Sequence, residues 1–148
     1  MPLLNYTTSI EAAKTVGEIQ KTLVLHGAKS VLIDYGEDGL IEALAFRIKT
    51  PQGEVAFRLP VDPDAVLKVL IRQNKLGKVA KSFATRPQAI KVAWRIMKNW
   101  VEAQMAILET EMVKMEQIFL PYAITQSGRT LYEGMVDRHF QLEPGKGE

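Results

Sequence analysis

The stretch LIEALAFRIKTPQGEVAFRLP, residues 40–60, decides the fold because two alternating apolar runs flank a turn. A four-residue loop at 50–53 would pair apolar residues across one face of an antiparallel hairpin: Ile48 with Val55, Phe46 with Phe57, and Leu44 with Leu59. The other face would carry the charged residues Arg47, Lys49, Glu54 and Arg58. Because antiparallel sheets often bury one face and expose the other, this pattern predicts a hairpin whose apolar face lies on the core.

The segments before the hairpin predict a third strand and a helix. Residues 30–35, SVLIDY, form a candidate strand that ends at the turn GEDG. Further upstream, Thr8 and Glu11 have the spacing of a capping box, and His26-Gly27 would close the helix that they begin. The residues before this helix, LLNYT, are predicted to be extended.

Two more helices are predicted after the hairpin. Asp62 is a suitable N-cap for the first helix, and Gly77 is a suitable residue just past its end. A second capping box, Thr85 with Gln88, begins the other helix. Nothing in the sequence interrupts this helix until about Phe119, so we expect one continuous helix of about 30 residues.

These elements predict an α+β fold in a single domain of residues 1–142. We expect an antiparallel three- to four-stranded sheet with an N-terminal helix, a short capped helix and one long C-terminal helix. Residues 143–148, EPGKGE, are predicted to form a disordered tail.

The composition argues against several classes of function. The chain has no cysteine, and no basic segment followed by an apolar run suggests a secretory signal, so we expect a cytoplasmic protein without a membrane partner. It has no glycine-rich phosphate loop, and its two histidines, His26 and His139, lack metal-ligand spacing. We therefore assign no catalytic residue, metal or cofactor, and we predict a protein that is not an enzyme.

The acids around the predicted turns are candidate metal ligands, because two-metal nucleases use carboxylates. Hairpin-tip chemistry explains one group and helix capping explains the other: Asp34, Glu37, Asp38 and Glu42 in the first, and Asp62 and Asp64 in the second. Neither group is therefore assigned as a site.

One feature of the charge distribution points to a binding function. Residues 65–101 contain nine Lys or Arg and no acid, whereas the segments before and after this block are net acidic. Two triplets have the spacing i, i+4, i+7 that places side chains on one helix face. The triplets are Lys68, Arg72 and Lys75, and Lys91, Arg95 and Lys98, with Lys78, Lys81 and Arg86 between them.

The two triplets differ in how well helix stability explains them. Arg72 and Lys75 lie near the C-terminal end of their helix, where the macrodipole favours cations. On the long helix, Lys91, Arg95 and Lys98 lie in the N-terminal half and the acids lie later, which runs against the macrodipole. This reversed order favours an electrostatic function, although a merely solvated face is the alternative.

The first hypothesis is nucleic-acid binding. Lys and Arg would neutralise phosphates with little sequence preference, and single- and double-stranded nucleic acid are both left open. The core set is Lys78, Lys81, Arg86, Lys91, Arg95 and Lys98, with Lys68, Arg72 and Lys75 as its flank.

The second hypothesis is protein association without nucleic acid. Two long helices laid antiparallel would match the basic half of one with the acidic half of the other, which predicts a homodimer. Its interface residues would be Trp94, Trp100, Glu102, Glu109 and Glu116. The partner could also be a host protein that the chain inhibits.

The segment from Arg86 to Met135, RPQAIKVAWRIMKNWVEAQMAILETEMVKMEQIFLPYAITQSGRTLYEGM, carries a resemblance. Together with LLNYTTSIEAAKTVGEIQ and GEVAFRLP, it resembles small uncharacterised accessory proteins of phages, prophages and mobile elements of Gram-positive bacteria. The resemblance implies an accessory protein of phage type and supplies no catalytic residues. It is compatible with a nucleic-acid partner and with a host-protein partner.

Overall fold

The structure is a computed structural model that describes residues 1–142. The tail predicted at 143–148 lies outside the described residues. Within residues 1–142 the α-helices and strands are α1 (Ala12–Leu25), β1 (Ser30–Tyr35), β2 (Ile41–Thr50), β3 (Gly53–Arg58), α2 (Pro63–Lys75), α3 (Arg86–Glu109), α4 (Met115–Phe119) and α5 (Leu131–Asp137). Short 3-10 helices lie at Lys81–Phe83 and Leu120–Tyr122. The α+β fold predicted from the sequence is confirmed, with an N-terminal helix, an antiparallel sheet and the long helix α3.

The sheet has the strand order β1-β2-β3, and the predicted register of its second hairpin is confirmed. Phe46 lies opposite Phe57 and Ile48 opposite Val55. Beyond the last paired residues of β3, the Leu59 amide donates to the Leu44 carbonyl at 3.0 Å, as the prediction requires. The turn between the strands requires a glycine, because Gly53 has a φ of +124° that other residues rarely adopt.

The apolar face of the sheet is buried against α1 and α3. Leu44, Phe46 and Phe57 belong to one buried cluster with Leu23 of α1 and Trp94 of α3. Because both helices pack on the same face, they also lie side by side and contact each other. The opposite face of the sheet carries the charged residues of the hairpin, as predicted: Arg47, Lys49, Glu54 and Arg58.

Helix α2 lies outside the main core and packs against α3. A second, smaller buried cluster, formed by Leu70, Val79 and Ala89, joins the two helices. The predicted N-cap of α2 is confirmed, since Asp62 Oδ1 accepts from the Ala65 amide at 3.2 Å.

The long helix is shorter than the sequence predicts. It ends at Glu109, and the backbone turns at Glu111, whose φ is +62°. The 24 residues of α3 span about 36 Å. After this turn, Met115 and Phe119 are buried in the main core.

The start of the chain also differs from the prediction. Residues 4–7 form a turn instead of an extended segment, and α1 begins one turn later than the expected capping box would place it. Thr8 Oγ1 accepts from the Ile10 amide at 3.2 Å and so closes a local turn. Glu11 occupies the N-cap position of α1 without a capping hydrogen bond from its side chain.

The second predicted capping box is only half formed. Thr85 Oγ1 accepts from the Gln88 amide at 3.4 Å and so caps α3 as expected. The Gln88 side chain does not return this bond. It donates instead to the carbonyls of Tyr6 and Thr8, each at 2.8 Å, and ties the start of the chain to α3.

We predict that Phe57→Ala lowers the free energy of unfolding by about 3–5 kcal/mol, because it removes a fully buried ring. That ring contacts Phe46 and Phe119, with centroids 5.4 and 5.9 Å away. Chemical denaturation would measure the loss. Glu54→Ala, on the exposed face of the same strand, is the control and should change stability by less than about 0.5 kcal/mol. Equal effects of the two substitutions would contradict the one-sided burial of the sheet.

Candidate nucleic-acid interface

The structure divides the basic block into two groups with different surroundings. One group follows α2 and the loop after it, and its side chains are exposed: Lys68, Arg72, Lys75, Lys78 and Lys81. We call these five residues the α2 basic surface. The other group lies on α3, where Lys91, Arg95 and Lys98 are only partly exposed and face α1.

The α3 group forms ion pairs with the acids of α1. Arg95 Nη1 donates to Glu18 Oε2 at 3.1 Å and to Thr15 Oγ1 at 3.3 Å. Lys98 Nζ lies 3.6 Å from the same Glu18 oxygen and also pairs with Glu102 of its own helix. One turn from the start of α3, Lys91 Nζ lies 3.3 Å from Glu11 Oε1.

These pairs explain the reversed charge order of α3. Taken alone, the charges of α3 are unfavourable relative to its macrodipole. In the fold, α1 places Glu11 and Glu18 beside the basic half of α3, and attraction across the helix interface offsets that small cost. The positions of Lys91, Arg95 and Lys98, which the stability of α3 alone does not explain, therefore have a structural explanation in these ion pairs.

The sequence contains a signal that could have revealed this pairing. Glu11 and Glu18 are spaced i, i+7, which places both on one face of α1 and matches the spacing of Lys91 and Lys98 on α3. Complementary charges at equal spacing on two predicted helices indicate that the helices pack side by side.

Arg86 stands between the two groups. Its guanidinium pairs with Asp64 in the first turn of α2, and both side chains remain more than half exposed. Exposed pairs of this kind contribute about 0–1 kcal/mol, so Arg86 can exchange its partner at little cost. It therefore remains available at the edge of the α2 basic surface.

The α2 basic surface is held by apolar contacts on its inner side. Leu70 is fully buried against α3, while Lys68, Arg72 and Lys75 lie on the opposite side of α2. After Gly77 the chain turns, and Val79 enters the second cluster at 3% exposure. Within residues 1–142, none of the salt bridges engages the five cations of this surface.

The residues predicted for a helix-mediated dimer do not form one seam. Trp94 is fully buried in the core and has no surface to offer a second copy. Trp100 packs edge-on against Phe119 and Tyr122, with centroids 5.5 and 5.8 Å away. Of the three acids, Glu102 pairs with Lys98, Glu109 contacts His26, and Glu116 lies on α4, past the break in the helix.

The acids of the β1–β2 turn and of the α2 N-terminus line one concavity of about 470 Å³. Most of their carboxylates have structural partners. Asp38 Oδ1 accepts from the Leu40 amide at 3.0 Å, Asp62 caps α2, and Asp64 pairs with Arg86. In the part of the chain that the structure describes, no three His, Asp or Glu side chains are grouped as metal ligands.

His26 joins the ends of α1 and α3. Its Nδ1 lies 2.8 Å from the Thr22 carbonyl, and its Nε2 lies 3.2 Å from Glu109 Oε1. Only the protonated ring donates to both acceptors. The hydrogen bond to Thr22 therefore raises the pKa of His26 above its usual 6.5, with a further increase from Glu109, and partial burial opposes the shift.

No protein-family model, curated protein or solved structure matches this chain. Its function is therefore inferred from its own residues.

Among the helices of residues 1–142, none has both the length and the apolar character that crossing a bilayer requires.

We predict that Glu18→Gln destabilises the protein by about 1–2 kcal/mol at neutral pH, because Arg95 and Lys98 lose a shared partner. Partial burial raises the pKa of Glu18, but Arg95 and Lys98 together lower it by more than burial raises it. The pKa of Glu18 in the folded protein therefore lies below the usual 4.5. The ionised carboxylate thus stabilises the fold at pH values above 4.5. This stabilisation is lost as the pH falls through the lower pKa of the folded state.

Denaturation of Glu18→Gln and of the native protein across acidic and neutral pH measures this contribution. The difference in free energy of unfolding between the two proteins should be largest at neutral pH and should decrease in acid. Glu37→Gln, at an exposed acid of the β1–β2 turn, is the matched control and should change stability by less than about 0.5 kcal/mol. A pH-independent effect of Glu18→Gln would contradict the ion-pair assignment.

For His26 we predict a pKa above 6.5, measured by NMR titration of the imidazole. Because the raised pKa favours the protonated ring in the folded state, His26 stabilises the fold fully at pH values below 6.5. This stabilisation is lost as the pH rises through the folded-state pKa. Glu109→Gln should lower this pKa only part of the way, since the Thr22 carbonyl remains. Glu111→Gln is the control and should leave the titration unchanged.

Proposed function

We propose that this protein is a non-enzymatic nucleic-acid-binding protein that contacts the phosphate backbone through the α2 basic surface. The observation that carries the proposal is the exposure of five cations on one helix and the following loop, without salt bridges in the described part of the chain. No acid occurs in the sequence from residue 65 to residue 101, so like charges dominate this part of the surface.

The spacing of the cations suits a line of phosphates. Lys68 and Lys75 are seven residues apart on α2, which is about 10 Å along the helix axis. Over that length one strand of duplex DNA carries about three phosphates. Lys78 and Lys81 continue the positive charge along the loop toward Arg86, whose exposed pair with Asp64 can open.

The proposed binding has little sequence preference. Contacts to phosphates fix position and carry no direct sequence information. We assign no base stacking to tryptophan, since Trp94 is buried and Trp100 packs edge-on against Phe119 and Tyr122. Affinity should therefore come from the release of counterions and should depend strongly on salt.

The α3 group has a smaller part in this proposal than the sequence suggested. Lys91, Arg95 and Lys98 are committed to Glu11 and Glu18, and a phosphate would have to compete with these carboxylates. Their role is to hold α3 against α1, and α3 in turn supports α2.

The biological setting is also part of the proposal. The resemblance to phage and mobile-element proteins supports an accessory role in such an element, in the cytoplasm of its host. A protein-association role is a second candidate. It is favoured by strand β1, which lies at an edge of the sheet in the described part of the chain.

Titration with single- and double-stranded oligonucleotides, at about 50 and 200 mM salt, tests the proposal. Five phosphate contacts on duplex DNA predict a slope of about −4.5 for log affinity against log salt. The double variant Lys75→Ala/Lys78→Ala should weaken binding and make this slope shallower by about 2 units. Comparing DNA with RNA and single with double strands identifies the preferred form.

The matched control is Lys14→Ala/Lys21→Ala, which removes two exposed cations from α1 and changes the net charge equally. It should retain most of the affinity and the original slope. The proposal would be rejected by the absence of binding at the lower salt concentration, or by equal effects of the two double variants.

A further inference from the structure

Strand β1 forms an open edge of the sheet. It pairs with β2 on one side, and in the described part of the chain no strand lies on its other side. The opposite edge, β3, is partly covered, because the Ile124 amide donates to the Ala56 carbonyl at 2.8 Å. The two edges are therefore not equivalent, and β1 is the one available for pairing.

The register identifies which backbone groups of β1 point outward. The Arg47 carbonyl of β2 accepts from Lys29 on the β1 side, whereas the Leu44 carbonyl accepts from Leu59 on the β3 side. Successive residues of a strand direct their backbone groups to opposite sides. Hence Leu32, opposite Ala45, bonds to β2, and the amides and carbonyls of its two neighbours point outward.

These outward-pointing neighbours are Val31 and Ile33. Among residues 1–142, no backbone hydrogen bond outside the sheet engages them. Natural proteins commonly protect such an edge with charged residues, proline, a β-bulge or a covering element. In strand β1, SVLIDY, the charge of Asp34 and the register shift that follows it come at the end of the strand, and Leu32 at its centre is 61% exposed.

We propose that β1 pairs antiparallel with β1 of a second copy of this chain, with Leu32 on the two-fold axis. The two three-stranded sheets then form one continuous six-stranded sheet. A register shift between Asp34 and Tyr35 ends the regular part of the edge, which leaves residues 30–34 for pairing. Leu32 is the centre of that segment, so this register pairs all of it.

The side chains are self-complementary in this register. The outward-pointing Val31 lies opposite the partner's Ile33, so their backbone groups meet, and their side chains extend the apolar inner face. On the outer face, Leu32 meets the partner's Leu32, and Ser30 meets the partner's Asp34, which can accept its hydroxyl proton in a hydrogen bond.

Neighbouring registers are less favourable. The outward-pointing residues of one copy must pair with the outward-pointing residues of the other. The two-fold axis must therefore pass through a residue, and the neighbouring choices are Val31 and Ile33. An axis at Ile33 would place Leu32 opposite the partner's Asp34 and would extend the pairing into the irregular end of the strand. An axis at Val31 would leave Asp34 without a regular partner. The complementarity of the edge with itself favours a second copy over an unrelated strand.

Single cysteines test the axis directly, because the chain has none of its own. Two Leu32→Cys residues would be a directly opposed, non-hydrogen-bonded pair with Cα atoms about 4.5 Å apart, within the range for a disulfide. Asp34→Cys is the matched control on the same exposed face. In this register residue 34 lies opposite the partner's residue 30, so the two copies of residue 34 are four residues apart along the strand, which is about 13 Å.

Under mild oxidation, Leu32→Cys should form a covalent dimer much faster than Asp34→Cys or Ser30→Cys alone. A mixture of Ser30→Cys and Asp34→Cys proteins should crosslink to each other, since the register places these positions opposite. Equal rates for Leu32→Cys and Asp34→Cys, or no crosslink in the mixture, would overturn the proposed register.

Sedimentation tests the association without any crosslink. The native protein should form dimers as its concentration rises, and Leu32→Lys should remain monomeric because it places two like charges at the axis. Leu120→Lys, at another exposed leucine, is the control and should still dimerise. Circular dichroism verifies that each variant is folded. A native protein that stays monomeric throughout, or a Leu32→Lys protein that dimerises normally, would refute the proposal.

Discussion

The one-sided burial of the β2–β3 hairpin is the constraint on which the rest of the fold depends. Its inner residues, among them Phe46 and Phe57, must be covered, and its outer residues must remain in water. The covering helices α1 and α3 lie side by side on the same face of the three-stranded sheet. The ion pairs of Arg95 and Lys98 with Glu18 follow from this arrangement.

The sequence predicted several features that depend on local patterns, although the capping box expected at Thr8 and Glu11 did not form. The hairpin register follows from the alternation of apolar and charged residues, and the caps at Asp62 and Thr85 follow from single side chains near a backbone amide. It did not predict the end of α3, because residues 110–114 contain no Gly or Pro. Side chains close this turn instead, since Thr110 Oγ1 accepts from the Met112 amide at 3.2 Å and Gln117 Oε1 accepts from the Lys114 amide at 2.8 Å.

The candidate site was predictable to the same extent. The spacing of Lys68, Arg72 and Lys75 places them on one face, and the fold exposes that face because Leu70 occupies the other. For Lys91, Arg95 and Lys98, identical spacing led to a different outcome, since their partners lie about 80 positions earlier in the chain. Periodicity defines a face of a helix, and only packing determines what that face contacts.

Trp94 gives the protein an optical property of its own. Its ring is fully buried, and within residues 1–142 its indole nitrogen has no hydrogen-bond partner. An unsatisfied buried donor of this kind costs about 1–3 kcal/mol, and the tight packing of the ring between sheet and helix offsets that cost. An indole in such dry surroundings fluoresces at short wavelength, while Trp100 is partly exposed to water. The separation of α3 from the sheet would therefore change the tryptophan fluorescence of the protein.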